Sequence, residues 1–149
     1  MTFCYYFLRR DNLEKERVIK SLINTAKDSI KAESYYSAFA ILLMIPEIIN
    51  GKNDEEAYIF WCDRYIKKFS DFSGEVLYKL KKELFFGNKK NNSYCTPNIK
   101  VYPVVGDKTR FSFDTRDEDR NWRTYSADIN DFMNNMIDSI ESYLLVGVA

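Results

Sequence analysis

The side chains best able to do chemistry concentrate in residues 77–90, LYKLKKELFFGNKK, where Lys79, Lys81, Lys82, Lys89 and Lys90 stand with Tyr78 and Asn88. Ammonium groups hold phosphate as point charges, and a lysine acts as a base near neutrality only when its pKa is strongly lowered. At 3.6 residues per turn, Leu77, Leu80 and Leu84 form one apolar stripe flanked by Val76 and Phe85. Lys81 falls inside that stripe, whereas Lys79 and Lys82 point away from it. Two readings follow for Lys81. Either its stem lies on apolar surface with the ammonium in water, or the stripe extends beyond the domain's own core into a site or self-contact. The remaining lysines read as a solvated helical face or as a groove for nucleic acid. Phe85 and Phe86 read as core or, with Leu77, as a surface that covers a partner.

Histidine is absent from the 149 residues. That removes imidazole acid/base chemistry, Ser-His and Cys-His pairs, and every His-containing metal site. Cys4, Cys62 and Cys95 are odd in number and widely spaced, which predicts a reduced, cytoplasmic chain without a disulfide framework or zinc knuckle. Two acidic groups resemble metal clusters. Asp54, Glu55 and Glu56 are consecutive, so on a helix they fan out, and the positive helix end accounts for them. Asp114, Asp117, Glu118 and Asp119 lack EF-hand spacing and alternate with Arg116 and Arg120, which predicts a solvated loop. No metal and no cofactor is expected. Net charge is zero, which argues against retention on nucleic acid by bulk charge. Yet residues 63–91 carry eight basic side chains against four acidic ones, and residues 114–141 carry eight acidic ones against three arginines.

The elements that must position these residues read as mainly α within one domain, 1–149. MTFCYYFL has its arginines after the apolar run, unlike a secretory signal, and reads as a strand or packed extension over 1–10. Asp11 with Glu14 resembles a capping box, and Val18, Leu22, Ala26 and Ile30 predict an amphipathic helix to about residue 31. Residues 34–49 are apolar on nearly all sides and predict a buried central helix, which Pro46 kinks or ends. That run is shorter than the roughly 20 residues of a membrane span. Asn53 or Asp54 caps a third helix through Phe69, and the fourth ends near Gly87-Asn88. From Asn98 the period changes to two. Ile99, Val101 and Val105 before Gly106-Asp107, and Phe111 and Phe113 after it, predict a β hairpin over 98–114 with Pro103 on an edge strand. A loop or wide turn follows, leading to a short third strand around Trp122–Tyr125. Asp128 caps a closing helix, 128–145, with Ile129, Met133, Met136, Ile137, Ile140 and Leu144 on one face. The predicted fold is a helical bundle with a small antiparallel β hairpin before the last helix.

Taken in order, AFAILLMIPEIINGK (38–52), FWCDRYI (60–66), SGEVLYKLKKELFFGN (73–88) and YSADINDFMNNMIDSIESYL (125–144) resemble small single-domain members of the HEPN superfamily. The resemblance implies a HEPN-like bundle that dimerises and brings together two motifs for metal-independent RNA cleavage. In each motif an arginine is followed, four to six residues on, by a histidine; the first would hold phosphate and the second would move protons. Carried over, the arginine falls on Lys81 and the histidine on Phe86. Lysine lacks the bidentate fork, and phenylalanine neither donates nor accepts a proton. The expectation is a homodimer whose Lys81 faces the dimer cleft, binding RNA or a protein partner encoded nearby without cutting. A toxin–antitoxin or phage-defence setting follows from the resemblance, with no membrane. Two alternatives stand beside it: an active ribonuclease rewired around Tyr78, Lys81, Lys82, Glu83 and Asn88, and a structural interaction protein using Phe85 and Phe86.

Overall fold

The computed structural model describes the backbone of residues 2–86 and 98–146, with side chains from residue 12 onward. Its elements are α1 (Thr2–Lys31), α2 (Tyr35–Asn50), α3 (Glu55–Tyr65), α4 (Gly74–Phe86), β1 (Ile99–Val104), β2 (Lys108–Arg116), β3 (Trp122–Asp128) and α5 (Ile129–Val146). The predicted class is the observed one: a mainly helical chain with a small antiparallel sheet ahead of the last helix. The sheet gains a full third strand, in the order β1-β2-β3. Register pairs Ile99 with Phe113 and Phe111 with Ala127, and strand alternation turns these four side chains into the core.

One buried cluster draws on every element. At its centre Phe39 of α2, Phe111 of β2 and Phe132 of α5 pack with ring centroids 4.9, 5.7 and 5.0 Å apart at tilted or edge-on angles. Such geometry sets the positive ring edge against the negative face. The predicted face of α5 is buried at all six positions. Asp128 accepts the amide of Asp131 at 3.0 Å and so caps that helix, and Asp54 does the same for α3 through Glu56.

The differences from expectation have local causes. Residues 2–10 are helical, so α1 runs straight through Asp11 and the capping-box pattern marks no helix start. No glycine or proline interrupts Thr2–Lys31. The buried face of α1 is Ile19, Ile23 and Ala26, with Leu22 and Ile30 half-buried and Val18 exposed. Ile19, Ile23, Ala26 and Ile30 recur at four, three and four residues, so the buried stripe shares Ala26 and Ile30 with the predicted series and is turned toward Ile19 at its start. Pro46 does not end α2, which continues to Asn50 and closes on Gly51 at φ 70. Proline deprives the Leu42 carbonyl of its donor. The next carbonyl, that of Leu43, accepts from the Tyr58 hydroxyl at 2.6 Å. Tertiary contact thus supports the interrupted stretch. α3 stops at Tyr65 because α5 takes over the backbone beyond it: Ser139 Oγ accepts from the Lys67 amide at 3.0 Å, and Asn135 Nδ2 donates to the Lys67 carbonyl at 3.0 Å.

α4 lies hard against α3 at its start. A Cβ on Gly74 would stand 2.5 Å from the Ile59 carbonyl oxygen, so only glycine allows this approach. The Gly74 amide donates to Asp63 Oδ1 at 2.7 Å. This contact sets the rotation of α4 and hence the direction of every lysine on it.

Candidate functional site

That rotation turns Lys81 inward. The residue is 5% exposed. Its ammonium lies 3.0 Å from Glu47 Oε2 of α2. The rings of Tyr58 and Tyr78 flank it, with centroids 5.0 and 5.2 Å away. Both rings attract the cation through their negative faces. Neither the water-reaching lysine nor the cleft-facing one describes this arrangement, because the ammonium is buried against the half-buried Glu47 carboxylate of α2. Burying an ammonium unpaired is costly, and the carboxylate with two aromatic faces offsets that cost.

Cys62 and Tyr58 complete the cluster. Burial pushes the Cys62 thiol far up; Asp63 adds to this, while Lys81 and a hydrogen bond with Tyr58 oppose it. Burial likewise raises the Tyr58 phenol well above its ordinary value, with Cys62 and Glu47 adding to the shift. Partial burial raises Tyr78, followed by Glu55, Glu47 and Asp54. Near neutrality the thiol and both phenols therefore keep their protons. The cluster thus offers no thiolate or phenolate nucleophile, and its one carboxylate is engaged by Lys81.

The remaining predicted site residues are dispersed. Lys79 binds Glu75 at 3.3 Å and the Arg116 carbonyl at 3.0 Å, which ties α4 to the end of β2. Lys82 is exposed, its ammonium 5.8 Å from the Tyr78 ring centroid. Glu83 accepts from Asn98 Nδ2 at 3.0 Å. Leu77 is 1% exposed and belongs to the core of its own domain, so it has no surface to give an interface. Phe85 and Phe86 are 44% and 61% exposed, so the core reading of these rings does not hold. Asn88, Lys89 and Lys90 lie outside the described residues. Sequence reasoning passed over Glu47, Tyr58 and Cys62. The available signal was complementarity: one acid in the apolar run of α2 and one base in the apolar stripe of α4.

The acidic loop is an ordered turn. Asp117 Oδ1 accepts from the amides of Asp119 and Asn121 at 2.9 Å each, and Oδ2 accepts from Arg123 Nε at 3.0 Å. The Asn121 amide bond is the largest of the influences that hold the Asp117 carboxyl below its ordinary value. Asp114 accepts from the Thr124 hydroxyl at 2.6 Å. Among the described residues no group of three metal-ligating side chains converges, and no helix is long and apolar enough to cross a membrane. No protein-family model matches the chain, and comparison with curated proteins and with solved structures gave no match.

Proposed function

We propose that this chain is a degenerate HEPN-like module that binds a macromolecular partner without cleaving RNA, acting as a homodimer in a toxin–antitoxin or phage-defence setting. The observation that carries the reading is the Glu47–Lys81 pair. The one cation that stands where the motif's arginine would be is itself buried and already held by the half-buried Glu47 carboxylate. Phe86 stands where the proton carrier would be and has no ionisable group. Loss of a general acid/base alone lowers rates by roughly 10²–10⁴.

Protein is favoured over RNA as the partner. Of the α4 lysines, Lys79 is tied to Glu75 and β2 and Lys81 is internal, which leaves Lys82 as the free exposed cation on this helix. Beside it Phe85 and Phe86 offer exposed aromatic area at the helix end, the side-chain type enriched in interface cores. Two measurements test the reading. Purified protein incubated with labelled RNA in chelator leaves the RNA intact; cleavage lost in Lys81→Ala overturns it. Light scattering after size exclusion gives a dimer mass that Phe85→Ser/Phe86→Ser reduces to a monomer; a wild-type monomer removes the homodimer.

A further inference from the structure

On another face of the molecule, the Ile66–Gly74 connection and the β2–β3 turn enclose a groove of about 850 Å3. Its floor is apolar and buried, formed by Cys62, Ile66, Phe72 and Val76. Its rim is acidic: Asp63, Asp71, Glu75, Asp117, Glu118 and Asp119 face Lys68, Lys79 and Arg123. Glu75 is paired with Lys79 and Asp117 with Arg123, so four carboxylates remain against one ammonium. Asp71, Glu118 and Asp119 are exposed and make no ion pair among the described residues. We infer that this groove binds an extended lysine- and arginine-rich segment of a partner protein.

Three observations exclude other occupants. The start of α4 opens on the groove, but its amides are taken: Gly74 donates to Asp63 at 2.7 Å and Val76 to Ser73 Oγ at 3.3 Å. An anion such as a phosphate would also meet the surplus of carboxylates on the rim. The carboxylates are spread along the rim rather than converging, so a single metal ion is not enclosed. The volume falls in the range of roughly 300–1,000 Å3 found for ligand sites, and a small cation would leave the apolar floor wet. Lysine and arginine combine an apolar stem with a cationic head, which matches a greasy floor beneath an acidic rim. This inference concerns different residues from the dimer contact and stands or falls separately from it.

Fluorescence anisotropy with a labelled peptide of alternating arginine and leucine tests it, with a labelled glutamate–leucine peptide and a labelled RNA oligonucleotide titrated separately as controls. The expected result is saturable binding to the basic peptide that weakens as salt rises from ~0.05 to ~0.3 M. Asp71→Asn/Glu118→Gln/Asp119→Asn lowers affinity about tenfold, the sum expected of three exposed pairs, with the circular dichroism spectrum unchanged. Lys68→Glu tightens binding, which provides a gain-of-charge reading independent of any loss of fold. Absence of saturable binding at low salt, full affinity in the triple variant, or equal affinity for the acidic peptide or the RNA titrated alone each overturns the inference.

Discussion

Two ion pairs in this chain have the same length but place their cations differently. Glu47–Lys81 and Asp117–Arg123 both close at 3.0 Å, and their acids are alike, Glu47 keeping 25% of its side-chain exposure and Asp117 19%; the cations differ, Lys81 keeping 6% and Arg123 64%. In the turn, water around Arg123 screens the attraction, and the guanidinium can be lost to solvent at little cost. Between α2 and α4 the ammonium is shielded from water while the Glu47 carboxylate keeps partial access to it, so the same distance decides whether the Lys81 charge is tolerated in the core. Separation alone does not describe an ion pair; what replaces water around it does.

The largest expected effect tests the interior pair. Glu47→Ala leaves an ammonium buried beside Tyr58 and Tyr78, and urea denaturation should show a loss of about 3–5 kcal/mol. Glu47→Leu/Lys81→Met removes both charges and keeps the volume, and its midpoint should return to the wild-type value or exceed it. A single-variant cost below about 1 kcal/mol would place the buried pair in the class of the exposed one and end the contrast. Next in size is Tyr58→Phe, which takes the donor from the Leu43 carbonyl beside Pro46. Denaturation should report a loss of about 1–2 kcal/mol, with α2 less protected in hydrogen exchange around residues 43–47.

pH sharpens the contrast from both sides. The folded Cys62 thiol holds its proton well beyond the value of an unfolded cysteine, so its contribution to stability is complete below about pH 8.5 and declines as pH rises above that. Wild-type melting temperature should fall on the alkaline side more steeply than that of Cys62→Ala. Iodoacetamide at pH 8 should leave Cys62 unmodified in native protein and label it in urea, as read by peptide mass spectrometry. Asp117 behaves in the opposite sense and is the smallest of these effects. Its folded carboxyl is lowered, so its contribution is present above the unfolded carboxylate range near pH 4 and is lost as pH falls through the folded value. Asp117→Asn should flatten only that acid limb of the melting curve; a change near neutrality would contradict the solvated setting of this pair.

Some of this molecule was legible residue by residue. The apolar face of α5, the caps at Asp54 and Asp128, and the hairpin around Gly106-Asp107 depend on neighbours within a turn or two, so spacing in the chain reports them directly. The frame of α1 was less accessible at its start, since packing buried Ile19 and Ile23, one position beyond Val18 and Leu22, while keeping Ala26 of the predicted series. The end of α3 was hidden for a related reason. The groups that terminate it, Asn135 and Ser139, lie 68 and 72 residues from Lys67, the residue whose backbone they bind.

For Lys81 the local pattern established a position: on the inner side of α4, between Leu77 and Phe85. It left the fate of the charge open, because a lysine stem on an apolar stripe serves equally a solvated head, a cleft and a buried pair. Packing resolved this by bringing the Glu47 carboxylate and the Tyr58 ring, from two other helices, to the ammonium. Helical periodicity is a relation between residues on one segment and survives in isolation. A counter-ion is a relation between segments, and it exists only once Gly74 has let α4 close on α3 and the excluded water has made the pairing necessary.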